Sequence, residues 1–236
     1  MIGLVVVSHS PALAHAAVEL ALQMAKGERP AIAIAAGAGE GLIGTDATAV
    51  SAAIDEVATP DGVLVIMDLG SAVMSAEMAL DFRASDAEVR LSSAPFVEGL
   101  LAAVVTAAGG ASLDEVDREA RGALSPKVSM LDEVAPVLLG PPVSEGLTAE
   151  LTIINPDGLH ARPAATLVST LAGFDAKLTV VNTRTAAGPV AANSLIGLLS
   201  LGAKAGDVLT VAASGAQATE ALAKVTELVT EGFGEL

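Results

Sequence analysis

Histidine is the side chain of this sequence best suited to group-transfer chemistry, and the chain has three: His9, His15 and His160. His9 follows an apolar β-branched run, and a helix is predicted to start at Pro11, since proline suits the first helical position. His160 is likewise predicted at a strand-to-helix junction. A helix N-terminus offers free backbone N–H groups and a partial positive charge, both of which favour an anion such as phosphate.

Phosphoryl transfer is the chemistry that these junctions fit. Near neutral pH about half or more of an imidazole is deprotonated, so its nitrogen can attack phosphorus. Arg162 lies two residues after His160 and carries a guanidinium that matches phosphate oxygens. On the residue types alone the alternative is that His160 only caps a helix and Arg162 is a solvated charge. His15 follows His9 by six residues, which points it to another side of the helix, so we expect a surface or packing role.

An α/β pattern positions the first histidine. Apolar β-branched runs predict strands at 2–7, 31–36, 63–67 and 88–91. Helical stretches alternate with them at about 11–25, 46–57 and 71–82, and two more follow near 95–108 and 112–121. This alternation predicts a three-layer domain over residues 1–122, with a parallel sheet covered on both faces.

A different pattern surrounds the second histidine. Four prolines and two glycines between 123 and 147 predict a linker. The remaining residues, 148–236, predict strands near 148–154, 176–182, 187–192 and 207–213, with helices at 161–172, 194–200 and 216–231. Several strands follow one another without a helical crossover, so we expect a small α+β domain with an antiparallel sheet.

The composition excludes several classes of function. Twelve Lys+Arg face 28 Asp+Glu, and the net charge of -16 disfavours nucleic acid and anionic lipid as partners. The chain has no cysteine, which excludes disulfides and thiolate chemistry. No apolar run approaches the roughly 18 residues of a membrane helix. We expect no membrane span, and a cytoplasmic location.

Two motif-level alternatives carry little weight. Gly39-Glu-Gly41-Leu-Ile-Gly44 matches the dinucleotide-binding pattern, but it follows the second strand, and the helix is expected to begin after it. We therefore predict a loop near His9 and no nucleotide cofactor. The histidines and nearby acids lack the spacing of metal ligands, so no metal site is expected.

The segment Asn155-Pro-Asp-Gly-Leu-His-Ala-Arg-Pro-Ala-Ala165 closely resembles the active-site segment of HPr, the histidine phosphocarrier of the phosphoenolpyruvate-dependent phosphotransferase system. The similarity continues through Asn193–Gly202 to the last strand. It implies an HPr-like open-faced sandwich in which enzyme I phosphorylates His160, on Nδ1, while Arg162 and the helix-start amides hold the phosphate.

The N-terminal region is similar to the mannose-family IIA domain, in the version found in the phosphotransfer subunit of dihydroxyacetone kinase. The matching segments are Gly3–Ser10, Gly41–Thr45, Asp68–Ala72 and Pro95–Gly99. The resemblance implies that His9 is a second phosphorylation site and that Asp68 lies beside it, with Thr45 in support. Asp46 and Ser75 depart from the residues common in these relatives, and no role at the site is predicted for them, although Asp46 suits a helix start.

Two further expectations concern the second HPr-like helix. Ser194 is a candidate for regulatory phosphorylation, because some HPr relatives are modified there; the alternative is an ordinary helix N-cap. The helix also carries more apolar residues than one buried face needs. We therefore expect Leu195, Leu198 and Leu199 to belong to a partner-docking patch.

Together these resemblances imply a phosphohistidine relay. Enzyme I would charge His160, His160 would charge His9, and His9 would phosphorylate ADP on the nucleotide-binding subunit of dihydroxyacetone kinase. The chain would be a subunit of a phosphoenolpyruvate–glycerone phosphotransferase, dimeric through its N-terminal domain. The alternatives are a IIA/HPr component of a mannose-type sugar permease, and a regulatory binding module that responds to phosphorylation.

Overall fold

The computed structural model describes residues 1–25, 28–39, 41–131, 146–185 and 187–235, and of Ser129 only the backbone. The chain divides into two compact units, Met1–Leu124 and Ser125–Leu236. Each unit has its own sheet.

Unit 1 is built on a four-stranded parallel sheet of order β2-β1-β3-β4. Its strands are β1 Gly3–Ser8, β2 Ile32–Ala36, β3 Val63–Met67 and β4 Val89–Ser92. Its helices are α1 Pro11–Met24, α2 Ala47–Glu56, α3 Gly70–Ala79, α4 Phe96–Ala108 and α5 Leu113–Gly122.

Two hydrophobic cores, one on each face of the sheet, explain why the central strands β1 and β3 are almost entirely apolar. On one face of the sheet, side chains of α1, α4 and α5 pack against Leu4, Val6, Leu64 and Ile66. On the other face, α2 and α3 pack against the side chains that alternate with these. Every residue of β1 and β3 is buried, as expected for strands covered on both sides. The predicted three-layer α/β fold is confirmed.

Local capping fixes where two of these helices begin. The side chain of Ser112 accepts a hydrogen bond from the backbone N–H of Glu115, and the Glu115 carboxylate accepts one from the N–H of Ser112. This capping box starts α5. Asp46 caps α2 by accepting a hydrogen bond from the N–H of Thr48 at 2.8 Å. The helix predicted from residue 46 therefore begins as expected, with Asp46 as its N-cap.

Unit 2 has an antiparallel four-stranded sheet of order β5-β8-β6-β7. Helix α9 packs against β5, β8 and β6, and α7 contacts α8 and α9. The α+β, HPr-like class predicted for this region is confirmed. The strands are β5 Leu147–Thr152, β6 Lys177–Asn182, β7 Ala187–Ala191 and β8 Val208–Ser214; the helices are α6 Ser125–Met130, α7 Ala161–Leu171, α8 Leu195–Ser200 and α9 Ala218–Thr230, followed by a 3-10 turn at Gly232–Gly234.

Part of the predicted linker is a helix. Its first part forms α6, which contacts α8 and belongs to unit 2. Pro126 is compatible with this helix because it lies in the first turn, where the proline nitrogen has no hydrogen bond to lose. The other prolines of the segment, at 136, 141 and 142, lie outside the described residues.

None of the helices in the described part of the chain is both long and apolar enough to cross a membrane.

Candidate functional site

The structure brings His9 and Asp68 together at one edge of the parallel sheet. β1 and β3 are neighbours, and both residues directly follow the end of their strand. The imidazole Nδ1 of His9 lies 2.8 Å from Oδ1 of Asp68. The side chain of Asp68 is 6% exposed and that of His9 is 18% exposed, so the carboxylate is enclosed while the ring can still be reached from solvent.

Asp68 is held in its ionised form by several donors. Besides the imidazole, it accepts hydrogen bonds from the Ser8 hydroxyl at 2.9 Å, the His9 backbone N–H at 2.8 Å and the Leu69 N–H at 2.7 Å. Burial raises the pKa of Asp68, but hydrogen bonds from the His9 N–H, the His9 ring and Ser8 outweigh it and lower the pKa. An ionised carboxylate only accepts hydrogen bonds, so Nδ1 of His9 carries a proton.

The other ring nitrogen of His9 faces the start of α3. Its Nε2 lies 2.7 Å from the hydroxyl of Ser71, the second residue of that helix. No side chain caps α3, whose first residue is Gly70. The leading N–H groups of a helix have no partner within it, so this end provides donors beside Nε2. The arrangement can bind an anion attached to Nε2.

Thr45 is close to His9 in the fold but does not contact the ring in the described structure. The preceding residue, Gly44, donates its N–H to the His9 carbonyl at 3.2 Å. The Thr45 hydroxyl instead pairs with the hydroxyl of Ser75 on α3 at 2.7 Å. Ser75 therefore ties the loop after β2 to α3.

The glycine-rich segment is a loop, as predicted. Gly39, Gly41 and Gly44 all have positive φ angles, of 123°, 71° and 153°. α2 begins only at Ala47, so the glycines do not lead into the helix as a dinucleotide-binding motif requires.

His160 is the N-cap residue of α7. Its loop is fixed by a close backbone approach: the N–H of Leu159 donates to the carbonyl of Ala203 at 2.9 Å. Gly158 has φ +70°, and a Cβ on it would stand 2.3 Å from that same carbonyl oxygen. Only glycine satisfies both requirements. The N–H groups of Ala161 and Arg162, the first two residues of α7, have no partner within the helix, and Pro163 has no N–H.

A carboxylate also contacts the second histidine. Nε2 of His160 lies 3.0 Å from Oε2 of Glu235, near the end of the chain. The amide nitrogen of Asn155 approaches the same oxygen at 3.4 Å and also donates to the Gly158 carbonyl. The His160 side chain is 37% exposed.

Arg162 lies in the first turn of α7 with its side chain exposed. Its backbone carbonyl accepts a hydrogen bond from Thr166. In the described structure the guanidinium forms no hydrogen bond with His160, so its N–H groups can bind a ligand.

The docking patch predicted on α8 is wrong for two of its three residues. Leu195 and Leu198 are fully buried, because they lie three positions apart on the face of α8 that points into unit 2, together with Leu201. Leu199 is half-buried. Ser194 caps α8 by accepting a hydrogen bond from the N–H of Gly197 at 2.9 Å.

His15 is exposed on α1. A search of the described residues finds no group of three or more His, Cys, Asp and Glu side chains that could hold a metal ion.

Sequence reasoning missed Ser71 and Glu235. Ser71 had a usable signal, since it is the second residue of a helix that begins two residues after Asp68. Glu235 had none, because it is 75 residues from His160 and belongs to no local motif.

Two family models match the chain. One, described as "PTS HPr component phosphorylation site", matches residues 147–231, and the other, "PTS system fructose IIA component", matches residues 3–117. A relative from Listeria innocua, named as phosphoryl donor subunit DhaM of PEP-dependent dihydroxyacetone kinase 2, is 32% identical over 107 residues, which are 44% of this chain and 85% of that protein. The chain belongs to the DhaM family. It combines the two matched domains of phosphotransferase components in one polypeptide.

The DhaM relative from Escherichia coli K12, named as the phosphoryl donor subunit of PEP-dependent dihydroxyacetone kinase, is 44% identical over 189 residues. The match covers 75% of this chain but only 39% of that relative. Among solved structures, HPr-C-His from Thermoanaerobacter tengcongensis is 34% identical, with a TM-score of 0.36, and the match covers 38% of this chain and 98% of that one.

Proposed function

We propose that this chain relays a phosphoryl group on two histidines, first His160 and then His9, and delivers it to ADP on the nucleotide-binding subunit of dihydroxyacetone kinase. The observation that carries the proposal is that each unit presents a solvent-accessible histidine beside a helix N-terminus. The names of the DhaM relatives support the acceptor system.

At His9 the reacting atom is Nε2. Asp68 holds the proton on Nδ1 and supports the positive charge that the ring gains as it takes the phosphoryl group. The Nε2 lone pair forms a bond to phosphorus while the N–P bond to the donor imidazole breaks and its electron pair returns to that ring. The Ser71 hydroxyl and the leading amides of α3 bind the phosphate oxygens.

At His160 the donor is enzyme I, charged by phosphoenolpyruvate. The exposed guanidinium of Arg162 and the leading amides of α7 stabilise the phosphate. Each transfer exchanges one N–P bond for another, so positioning and anion stabilisation are the main contributions of the protein. The last transfer moves the group from Nε2 of His9 to a terminal phosphate oxygen of ADP, and dihydroxyacetone phosphate forms on the partner.

Exposed apolar side chains near His9 support a protein, not a small molecule, as the acceptor. Leu42 and Ile43 stand in the loop after β2, and Leu69 and Met74 stand at the start of α3. Such a group of exposed apolar residues is typical of a docking surface. We also propose that unit 1 forms a homodimer, on the strength of its similarity to the mannose-family IIA domain; sedimentation velocity would give its mass.

The relay is tested by mass spectrometry of acid-labile phosphate after incubation with enzyme I and phosphoenolpyruvate. The wild type should be labelled on both histidines. His9→Ala should be labelled only on His160, and His160→Ala should lose both labels because His9 lies downstream. Labelling of His15, or of His9 in the His160→Ala variant, would contradict this order.

The acceptor is tested separately. Phosphorylated protein is mixed either with the nucleotide-binding kinase subunit and ADP or with a IIB domain of a mannose-type permease. Loss of label only with the kinase subunit supports the proposal, while loss only with the IIB domain supports the permease alternative. Undiminished dihydroxyacetone phosphate formation by His9→Ala would instead support a regulatory binding module.

A further inference from the structure

The contact between Glu235 and His160 brings the segment that follows α9 to the candidate site of unit 2. The 3-10 turn Gly232–Gly234 follows α9 and leads directly to Glu235. Phe233 in this turn has φ 57°, which reverses the chain locally. The Glu235 side chain is 17% exposed, and its Oε2 is shared by the His160 ring and the amide of Asn155. The carboxylate is therefore held from two sides.

The contact decides which ring nitrogen of His160 can react. A neutral imidazole has one N–H and one lone pair, and an ionised carboxylate can only accept a hydrogen bond. With Glu235 at Nε2, the proton is placed on Nε2 and the lone pair on Nδ1. In the part of the chain that the structure describes, no group hydrogen-bonds Nδ1 of His160.

We propose that Glu235 is a positioning residue for phosphoryl transfer, because it selects the His160 tautomer whose Nδ1 is nucleophilic. This inference rests on the proposed relay through His160. In the transfer, the Nδ1 lone pair forms a bond to the phosphorus of a donor phosphohistidine. The donor N–P bond breaks, its electron pair returns to the donor ring, and the His160 proton stays on Nε2.

The negative charge of Glu235 favours phosphorylation of Nδ1, as its hydrogen bond does. As the new N–P bond forms, the His160 ring gains positive charge, which a carboxylate at Nε2 stabilises. The phosphate arrives on the opposite nitrogen, so the two anions are kept apart by the width of the ring. A carboxylate at Nδ1 would compete directly with the phosphate for that position.

Two variants of the chain separate the effect of the charge from that of the hydrogen bond. Glu235→Gln keeps a polar group of the same size without the charge, and Glu235→Ala removes both. Glu231→Gln is the matched control, since this exposed glutamate at the end of α9 lies in the same segment and loses the same charge. Unchanged amide spectra away from the turn show that each variant folds.

The first measurement is the side-chain nitrogen spectrum of His160 in unphosphorylated protein. We expect a protonated Nε2 and an unprotonated Nδ1 in the wild type and in Glu231→Gln, and a mixture of the two tautomers in Glu235→Ala. A proton on Nδ1 in the wild type, or identical tautomers in wild type and Glu235→Ala, would overturn the inference.

The second measurement is the rate at which enzyme I and phosphoenolpyruvate label His160. The rate should fall about tenfold in Glu235→Ala and less in Glu235→Gln, which is the size of effect expected from losing one charge-assisted hydrogen bond. Equal rates in all four proteins, or phosphate on Nε2 of wild-type His160, would also overturn the inference. Because the nitrogen spectrum needs no donor, it tests Glu235 even if His160 is never labelled, an outcome that would reject the relay instead.

Discussion

The two histidines of this chain are arranged as opposites. In unit 1 a carboxylate contacts Nδ1 of His9, and Nε2 faces the start of α3. In unit 2 a carboxylate contacts Nε2 of His160, and no group among the described residues hydrogen-bonds Nδ1. Both imidazoles lie at a helix N-terminus, so the helix does not distinguish them. The position of the carboxylate does, and in the proposed relay the reactive nitrogen of each ring is the one opposite the carboxylate.

The two carboxylates also differ in how firmly they are held. Asp68 follows a central strand and is fixed by the Ser8 hydroxyl and by two backbone N–H groups. Glu235 follows the last helix, and among the described residues its side chain is contacted by the His160 ring at 3.0 Å and by the Asn155 amide at 3.4 Å. The comparison therefore predicts that the His9 site is more sensitive to loss of its carboxylate than the His160 site.

Replacing the more firmly held carboxylate should give the largest effect. Asp68→Asn places a neutral amide at Nδ1 of His9 and allows the wrong tautomer, so labelling of His9 by phosphorylated His160 should fall by about a hundred- to thousandfold. The rate is measured by following the label from one histidine to the other. Labelling of His160 by enzyme I is the internal control and should not change. A loss no greater than that of Glu235→Gln would remove the contrast between the sites.

A methyl group added to the His160 loop should destabilise the protein more than one added at the start of α3. Gly158→Ala places a Cβ 2.3 Å from the Ala203 carbonyl at φ +70°, so it should cost unit 2 about 3 kcal/mol of unfolding free energy. Gly70→Ala is the matched control at the His9 site, because its Cβ would meet no atom within 4 Å. Chemical denaturation followed by circular dichroism gives both values. Similar unfolding free energies for the two variants would show that the His160 loop can shift to accommodate the added methyl group, contrary to this prediction.

Acid should destabilise both units through their buried carboxylates. In unit 2 the hydrogen bond from the Arg184 guanidinium is the main cause that lowers the pKa of Asp207, helped by the Lys204 N–H and Asn182 and opposed by burial. Both Asp207 and Asp68 have a lower pKa in the folded protein than the ordinary value of 3.8. Each carboxylate therefore stabilises the fold fully above pH 3.8, and this stabilisation is lost as the pH falls below that value.

Asp207→Asn should therefore lower the stability of unit 2 at pH 6 by about 2 kcal/mol and lessen its further loss between pH 4 and pH 2.5. Hydrogen exchange read peptide by peptide separates unit 2 from unit 1, whose acid response through Asp68 should stay as in the wild type. If both proteins lose the same stability below pH 4, the pKa of Asp207 is not responsible.

The smallest effect on phosphorylation is expected from the hydroxyl that contacts Nε2 of His9. Ser71→Ala removes the hydroxyl at Nε2, so phosphorylation of His9 should slow about three- to tenfold, as for one lost hydrogen bond. Ser75→Ala removes a hydroxyl from the same helix that pairs with Thr45 and not with the ring, and it serves as the control. Equal rates in the two variants would assign Ser71 to packing alone.

Much of this arrangement could be predicted from the sequence because it depends on local signals. Apolar runs marked the strands, and the junction after each strand placed His9 and His160 at helix starts. Resemblance placed Asp68 beside His9, and the adjacent parallel strands explain why. Glu235 could not be predicted, because its position depends on how the last helix packs on the sheet.

The errors on α8 and α6 have physical causes. Leu195 and Leu198 are spaced to share one face of a helix, and that face is needed for the interior of unit 2. The abundance of proline between 123 and 147 hid α6, although Ser125-Pro126 is itself a typical helix start. A proline weakens a helix in its middle but not in its first turn.

The hydrogen bond between Leu159 and Ala203 links the histidine loop to the segment that follows α8. α8 is only six residues long, and Ser194 stands at its other end. Ala203 lies three residues beyond the end of α8, so one hydrogen bond connects the segment leaving this helix to the backbone directly before His160. We expect an event at the surface of α8, whether binding or covalent modification, to be felt at the imidazole through this bond.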